Sequence, residues 1–251
     1  MFYVAAAAGD LDLWVNGWFG THDGYIAEGK GKVKAVGNVM AKGGLQGYLI
    51  DKKTADKFKI KSVMDIKKHA KQFDSNGDGK ADMVACPPGW GCEKQITKHF
   101  AELGLGDFIN PVQADYSASM ADAIAKFKNG KSVLFYTWTP NWTVGALELG
   151  KDIVWIEVPY SKTRAVKVPN ATKSKINMGF GADDIRAAAN VDFLKANPKV
   201  EKMLKKASIP LADIAAQNMK MNAGEKSERA IKKHASAWIK ANQSKFDSWI
   251  K

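Results

Sequence analysis

VLFYTW, at residues 133–138, is an apolar run of strand-forming residues that follows an amphipathic segment at 116–128. In that segment Met120, Ile124 and Phe127 recur at helical spacing. Strand-like and helix-like segments alternate in the same way along the rest of the chain, which is typical of α/β architecture with mostly parallel sheets. The other strand-like runs are LDLWV (11–15), GYLI (47–50) and IVWIEV (153–158), and the other amphipathic segments are 93–103, 192–206 and 225–240.

Two extended, Gly-bearing segments are the candidate points at which the chain passes between domains: GGLQGYLID (43–51) and INMGFGADD (176–184). A chain of 251 residues, 45% hydrophobic, is long enough for one large domain or two smaller ones. The sequence contains no internal repeat and no low-complexity linker. Any second domain must therefore form by the chain crossing over and back.

The net charge of +12 invites a nucleic-acid interpretation, but the pattern of charges does not favour it. The basic residues are spread along the chain, and only three of the 38 are arginine, the residue type favoured for base readout. We therefore predict no nucleic-acid partner.

The apolar segments are too short to span a membrane. None approaches the ~18 apolar residues that a membrane span requires. The opening segment MFYVAAAAGD (1–10) lacks a positively charged start and reaches Gly9-Asp10 too early for the core of an export signal. Its Ala-rich run predicts a helix instead.

The two cysteines, Cys86 and Cys92, lie six positions apart. Two free thiols so close together are less common than a small disulfide loop, and such a loop indicates an oxidising compartment. A loop this short gains only about 2 kcal/mol of entropic stabilisation, so its use is to fix the shape of the segment that carries Trp90. A single cysteine pair supplies half of a zinc site, and no histidine lies at the right spacing, so no metal is predicted.

The segment DSNGDGKAD (74–82) matches the first nine positions of an EF-hand-like calcium loop. Its twelfth position is Ala85, where a calcium loop needs a bidentate glutamate. We expect a surface loop of Asx turns held by its own side chains, without a metal.

Three of the eight tryptophans are predicted to lie in loops or turns or at the end of a strand. Trp18 is in NGWFGTHDG after a strand, Trp90 is in PPGWGCEKQ between two glycines, and Trp138 ends the apolar run before TPNW. Ligands of open α/β sheets bind beyond the carboxyl ends of strands. Rigid indole faces there suit a quaternary ammonium, which has no N–H to donate and gains about 0.5–2 kcal/mol from each ring. The tryptophans expected to be structural are Trp155, Trp238 and Trp249.

The sequence around Trp90 also predicts a site for the acid of a zwitterion. Gly91 and Cys92 fall where a helix should begin, and Glu93 suits its first turn. Free backbone N–H groups at a helix start bind carboxylates. His22, four residues after Trp18, can add a donor, but a single histidine is more often structural, so its role depends on the resemblance below.

Long segments of the chain closely resemble the periplasmic glycine betaine-binding proteins of ProU-type ABC transporters, the ProX-like family. The matching segments extend over essentially the whole chain. They are GYLIDKKTAD (47–56), FDSNGDGKADM (73–83), CPPGWGCE (86–93), FYTWTPNW (135–142), IPLADIAAQN (209–218) and the Trp-bearing tail at 236–250.

The resemblance implies a ligand site in which tryptophans box a trimethylammonium group, while backbone amides and a histidine hold its carboxylate. It also implies a disulfide. The chain departs from the family pattern at GWFG (17–20), where relatives have Trp-Thr-Pro. The implied residues are Trp18, Trp90 and Trp138 for the cation, Gly91, Cys92 and His22 for the carboxylate, and Cys86 with Cys92 for the disulfide.

The implied fold is a type II periplasmic binding protein: two α/β lobes, each with a mixed, mostly parallel sheet flanked by helices, that close over the ligand about a two-strand hinge. Lobe one is expected at 1–45 with 178–251, and lobe two at 46–177. Family members have a strand–helix–strand unit before the position that matches Met1, so part of the sheet of lobe one is expected to be missing from this chain.

The implied function is that of a periplasmic substrate-binding protein and not an enzyme. It binds glycine betaine, proline betaine or dimethylsulfoniopropionate, needs no cofactor, and delivers the ligand to a membrane permease. Choline lacks the carboxylate and is expected to bind more weakly.

Two other functions remain as alternatives from the residues. An enzyme would use Cys92 as nucleophile at a helix start, with His22 or His99 as base, and would need a free thiolate. A basic interaction module would bind DNA or RNA in a salt-sensitive way.

Overall fold

A computed structural model of the protein describes residues 2–167, 172 and 175–251. The parts of the expected lobe ranges at 1, 168–171 and 173–174 lie outside the described residues. The strands within the described part are β1 (Leu13–Phe19), β2 (Val33–Asp51), β3 (Ala81–Val84), β4 (Ile109–Val112), β5 (Leu134–Thr139), β6 (Ile153–Ile156), β7 (Val166–Lys167), β8 (Lys175–Ile176) and β9 (Asp183–Asn190).

The helices of the described residues alternate with these strands and continue beyond the last of them. Short 3₁₀ segments lie at Val63–Lys68, Ala70–Gln72 and Leu105–Asp107. The α-helices are α1 (Phe2–Ala8), α2 (Asp23–Glu28), α3 (Lys52–Phe58), α4 (Gly91–Leu103), α5 (Tyr116–Lys128), α6 (Thr143–Ala146), α7 (Val191–Ala196), α8 (Pro198–Lys206), α9 (Leu211–Asn222), α10 (Glu228–Ala241) and α11 (Gln243–Ile250).

The chain forms two compact units. Unit 1 comprises Met1–Gly44 and Ala182–Lys251, and unit 2 comprises Leu45–Gly181. Strand β2 leads from unit 1 into unit 2, and the chain returns just before β9. Both passages lie in the Gly-bearing segments 43–51 and 176–184 that the sequence indicates. Closure of two lobes about these passages stays a prediction.

The sheet of unit 1 has the order β1-β9-β2, and both pairs are antiparallel. Successive residues of a strand face opposite sides of the sheet, and β9 uses alanine on both sides. Ala188 packs with Tyr3 and Ala6 of α1, whereas Ala187 and Ala189 pack with the leucines of α7 and α8. The small side chains of β9 therefore let helices lie close on both faces. Alanine is a poor strand former, so the sequence did not predict this strand.

In unit 2, β5 and β6 flank the second half of β2, and the order is β6-β2-β5-β3-β4. The four residues of β6 are all buried, including Trp155, as expected for a strand that is covered on both faces. The mixed α/β class is confirmed. Parallel pairing is less widespread than expected: among the described strands it is confined to the two partners of β3, because β2 runs opposite to β5, β6 and β9.

Most helices predicted from periodicity are confirmed, with bounds set by local chemistry. The segment at 116–128 is α5 with the same ends, and the Ala-rich opening is α1. The segment at 192–206 is divided into α7 and α8 by Pro198, which cannot continue a helix but fits the first position of one. Among the described residues, no helix combines the length and the apolar character that crossing a membrane requires.

His99 of α4 is a fully buried histidine in unit 2. The Tyr48 hydroxyl lies 2.9 Å from its Nδ1, and its Nε2 donates to the Gly179 carbonyl oxygen at 2.9 Å. Burial lowers the pKa of His99 from 6.5 to about 4, against the opposing effects of the Gly179 hydrogen bond and the charge of Glu102. The ring is therefore neutral at pH 7 and holds three segments of the unit together.

The free energy of unfolding is expected to fall as the pH is lowered from 7.5 towards 5. Since the pKa of His99 is lowered in the folded state, the unfolded chain binds more protons in this range, and acid favours unfolding. The loss attributable to His99 is about 2 kcal/mol at about pH 5. Urea unfolding of wild type and of His99→Gln at both pH values measures it, and equal pH dependence in the two proteins would contradict the assignment.

Candidate ligand-binding site

Three aromatic rings meet in unit 2, two of them predicted tryptophans. The ring centroids of Trp90 and Trp138 are 5.8 Å apart, and those of Trp138 and Tyr116 are 4.9 Å apart. Trp90 is 43% exposed although it is a large apolar side chain, whereas Tyr116 is buried at 4% exposed. The two indoles, called here the indole pair, are packed against a buried tyrosine and remain partly open to solvent.

Local structure fixes each member of this cluster. Trp138 lies near the end of β5. Tyr116 is the first residue of α5, and the side chain of the N-cap residue Asp115 accepts a hydrogen bond from the Ala118 N–H. The Tyr116 hydroxyl donates towards Thr137 Oγ1 at 2.8 Å, and burial raises the pKa of this hydroxyl well above its ordinary value. Tyr116 is thus a rigid, uncharged support for the indole pair.

The loop that carries Trp90 is closed by the disulfide between Cys86 and Cys92, which confirms the predicted pairing. Both cysteines are buried, and no cysteine is free. Gly89 has φ of +87°, a conformation that favours glycine, and it turns the chain into Trp90. Because Cys92 is in a disulfide, it has no thiolate and cannot act as the nucleophile of an enzyme in this state.

The helix start that the sequence predicts after Trp90 is confirmed, because α4 begins at Gly91. Trp90 is its N-cap and has no side-chain oxygen to accept the first amides. Among the described residues, no partner accepts a hydrogen bond from the N–H of Gly91 or Cys92. Two donors at the positive end of a 13-residue helix are therefore available to an anion.

Trp18 and His22 lie in unit 1. Trp18 is within β1 and pairs with Ile185 of β9, so the prediction that it lies in a turn after the strand was wrong, and His22 lies just before α2. Trp18 is half-buried and packs against a cluster of Val39, Met40 and Ile185. The edge of its indole is so close to Gly44 that a Cβ there would lie 2.6 Å from Trp18 Cζ3. The small residue at position 44 is therefore needed for this position of the ring.

The His22 ring is held by aromatic neighbours and two hydrogen bonds to one nitrogen. The Tyr3 hydroxyl lies 2.9 Å from Nδ1, and the Trp18 backbone N–H donates to the same atom at 3.3 Å. Trp14 stacks on the ring at 5.7 Å between centroids. Burial lowers the pKa of His22, partly offset by the charge of Asp23, so the ring is neutral at pH 7.

The structure thus brings Trp90, Gly91, Cys92 and Trp138 together in unit 2, and Trp18 with His22 in unit 1. That all of them hold one ligand stays a prediction. Sequence reasoning missed Tyr116, although its place after the cap Asp115 was readable. It also missed Tyr3, which no local pattern connects to His22.

The segment 74–82 forms the expected Asx turns. The Asp74 carboxylate accepts the backbone N–H groups of Asn76, Gly77 and Gly79, at 3.2, 2.6 and 2.8 Å. The Lys80 backbone N–H is the main reason why the pKa of the Asp78 carboxyl is lowered. The Asp74 carboxylate thus serves the backbone of the loop, whereas Asp78 Oδ2 accepts from the side-chain amides of Asn76 and Asn110.

The tryptophans expected to be structural behave accordingly. Trp155 and Trp249 are buried, and Trp238 stacks on Trp249 at 5.9 Å while its Nε1 donates to Asp213. They contribute to the packing of their units, so Trp18, Trp90 and Trp138 remain as the candidate ligand-binding tryptophans.

An α/β fold in two units, with partly exposed indoles beside helix-start amides, is typical of the class of periplasmic-type binding proteins. A family model described as the substrate binding domain of the ABC-type glycine betaine transport system (OpuAC) matches residues 1–241. The chain belongs to this family. Its role is therefore in substrate binding for transport and not in catalysis.

Curated relatives share much of the sequence. The glycine betaine-binding periplasmic protein OusX of Dickeya dadantii is 42% identical over 257 residues, which cover 99% of this chain and 76% of the relative. The glycine betaine/proline betaine-binding periplasmic protein of Escherichia coli is 42% identical over 256 residues, with the same coverage of 99% and 76%.

Solved structures confirm the fold class. The glycine betaine/L-proline-binding protein (ProX) of Borrelia burgdorferi has a TM-score of 0.76 at 16% identity and covers 99% of this chain and 82% of its own. Lactococcal OpuAC in its closed form with glycine betaine has a TM-score of 0.71 at 21% identity, covering 99% and 84%.

Proposed function

We propose that this protein binds glycine betaine, or proline betaine or dimethylsulfoniopropionate, in the periplasm and delivers it to the membrane permease of an ABC importer. The observation that carries the proposal is the indole pair, 5.8 Å between centroids, beside the free start of α4. The pair suits a permanently methylated cation, and the helix start suits the carboxylate that such osmolytes have at their other end.

At the cation end, the indole faces of Trp90 and Trp138 attract the methylated head, with Trp18 of unit 1 as the third ring. A trimethylammonium group has no N–H, so the negative faces of the rings are its natural partners. Because such a site recognises methylated charge, a dimethylsulfonium group fits the same rings.

At the acid end, the N–H groups of Gly91 and Cys92 and the ring of His22 donate to the carboxylate. The dipole of α4 adds to the attraction at its first turn.

Titration calorimetry with a panel of glycine betaine, proline betaine, dimethylsulfoniopropionate and choline tests the proposal. We expect saturable binding of the zwitterions and binding of choline weaker by about tenfold or more, because choline leaves the amide donors without a charged partner. The absence of heat with every member of the panel would reject the function.

Replacing His22 by alanine is expected to lower glycine betaine affinity by about tenfold or more, because a hydrogen bond to the carboxylate is lost. Choline affinity should not change. His69→Ala is the matched control, since His69 is also half-buried but packs on Phe58. Equal losses for betaine and choline in His22→Ala would contradict a carboxylate partner.

A further inference from the structure

The His22 ring is oriented by groups from two different segments of unit 1. Tyr3 reaches it from α1, with its hydroxyl oxygen 2.9 Å from Nδ1. Trp18 reaches it from β1, with its backbone nitrogen 3.3 Å from the same Nδ1. The Trp14 indole lies on the ring face at an interplanar angle of 25°. The plane of the imidazole and the direction of Nδ1 are therefore both constrained.

These contacts determine which ring nitrogen holds the proton. A backbone N–H can only donate, so the Trp18 N–H, at 3.3 Å, favours the tautomer in which Nδ1 presents its lone pair. A neutral imidazole has one N–H, which is then on Nε2. Burial raises the pKa of the Tyr3 hydroxyl to about 12, so the hydroxyl keeps its proton at neutral pH and can donate it to the lone pair of Nδ1, 2.9 Å away.

The free nitrogen is the one a ligand would meet. Among the described residues, no hydrogen bond involves His22 Nε2. In the Nε2–H tautomer this atom donates to a carboxylate. In the opposite tautomer it presents a lone pair, which repels a carboxylate and leaves it without its donor.

We propose that Tyr3 is a positioning residue for the ligand carboxylate: its hydroxyl fixes His22 as the Nε2–H tautomer and directs that N–H away from the aromatic cluster. The inference rests on the proposed function, because it assigns Tyr3 a role towards the carboxylate of the betaine. It places one determinant of acid recognition in a residue that does not itself contact the ligand.

Tyr3→Phe keeps the ring and removes only the hydroxyl. His22 then retains the longer bond from Trp18, and the second tautomer becomes populated. We expect glycine betaine affinity to fall about fivefold by calorimetry, less than in His22→Ala. Tyr25→Phe is the matched control, because Tyr25 lies in the same cluster with its ring centroid 6.0 Å from that of Tyr3. Its affinity should stay within about twofold of wild type.

Nitrogen NMR reports which nitrogen of the His22 imidazole is protonated. If Tyr3 had only a structural role, the Tyr3→Phe change would leave this tautomer unchanged. The ligand-free wild type should show Nε2 protonated and Nδ1 unprotonated, whereas Tyr3→Phe should show a mixture. Protonated Nδ1 in the wild type overturns the inference, even if the variant does not fold. The inference is also overturned if Tyr3→Phe has the same His22 tautomer and the same glycine betaine affinity as the wild type.

The two proposals fail in different ways. A wild-type protein that holds His22 as Nε2–H but gives no heat with glycine betaine rejects the proposed function and, with it, the role of Tyr3 towards a ligand. A wild-type protein that binds glycine betaine with the wrong tautomer rejects only the role of Tyr3.

Discussion

Replacing Trp90 by alanine is expected to lower the affinity for glycine betaine by about a hundredfold. The change removes one indole of the pair, which means about 2 kcal/mol of desolvated cation–π attraction together with the apolar contact of the methyl groups. The fold should survive, because the side chain is 43% exposed and its backbone role as N-cap of α4 needs no side-chain oxygen.

Calorimetry with glycine betaine measures this loss, and Trp90→Phe should give an intermediate affinity because it keeps a smaller ring. Val112→Ala is the control, because Val112 is another exposed apolar residue of unit 2, at 38%. The glycine betaine affinity of this variant should equal that of the wild type. An unchanged affinity in Trp90→Ala would reject the indole pair as the cation site.

Replacing Gly37 by alanine is expected to lower the free energy of unfolding by about 3 kcal/mol or more. Gly37 has φ of +63° in β2, and a Cβ there would lie 1.9 Å from the Leu204 carbonyl oxygen and 2.8 Å from its carbon. Both are backbone atoms at the end of α8, so relief requires the helix to move away from the sheet. The Arg186 side chain also donates to the Gly37 oxygen, at 2.7 Å, and this bond would be disturbed.

The matched control is Gly31→Ala. Gly31 has φ of +79° but would place its Cβ with nothing within 4 Å, so it isolates the backbone strain, about 1 kcal/mol. Urea unfolding compares the two variants. If Gly37→Ala costs no more than Gly31→Ala, the close approach of α8 to β2 at this position is not as described.

The elements that the sequence predicted best are those whose information is local. Each of these signals lies within about 15 residues of sequence: the periodicity of α5, the apolar run of β5 and the glycine-flanked loop before α4. The disulfide was also accessible, since the only two cysteines lie six positions apart. Strand β9 could not be predicted in this way, because its three buried alanines are favoured only once helices pack on both faces of the sheet.

The site shows the same division. The sequence alone predicted the helix start at Gly91 and Cys92 and the loop that carries Trp90, because glycine flanks and a helix start are properties of neighbouring residues. It did not identify Tyr116 beside the indole pair, nor Tyr3 against His22, where 19 positions separate the partners.

The sequence by itself thus determined which chemical groups these segments carry, namely tryptophan indoles, the backbone amides of a helix start and one histidine. Only the tertiary structure decided which residues contact those groups: Tyr116 packs against the indole pair, and the Tyr3 hydroxyl and the Trp18 N–H both lie next to His22 Nδ1. The physical reason is that ring packing and the direction of a hydrogen bond depend on which strands and helices become neighbours. That choice is made by burial over the whole unit and not by any one segment.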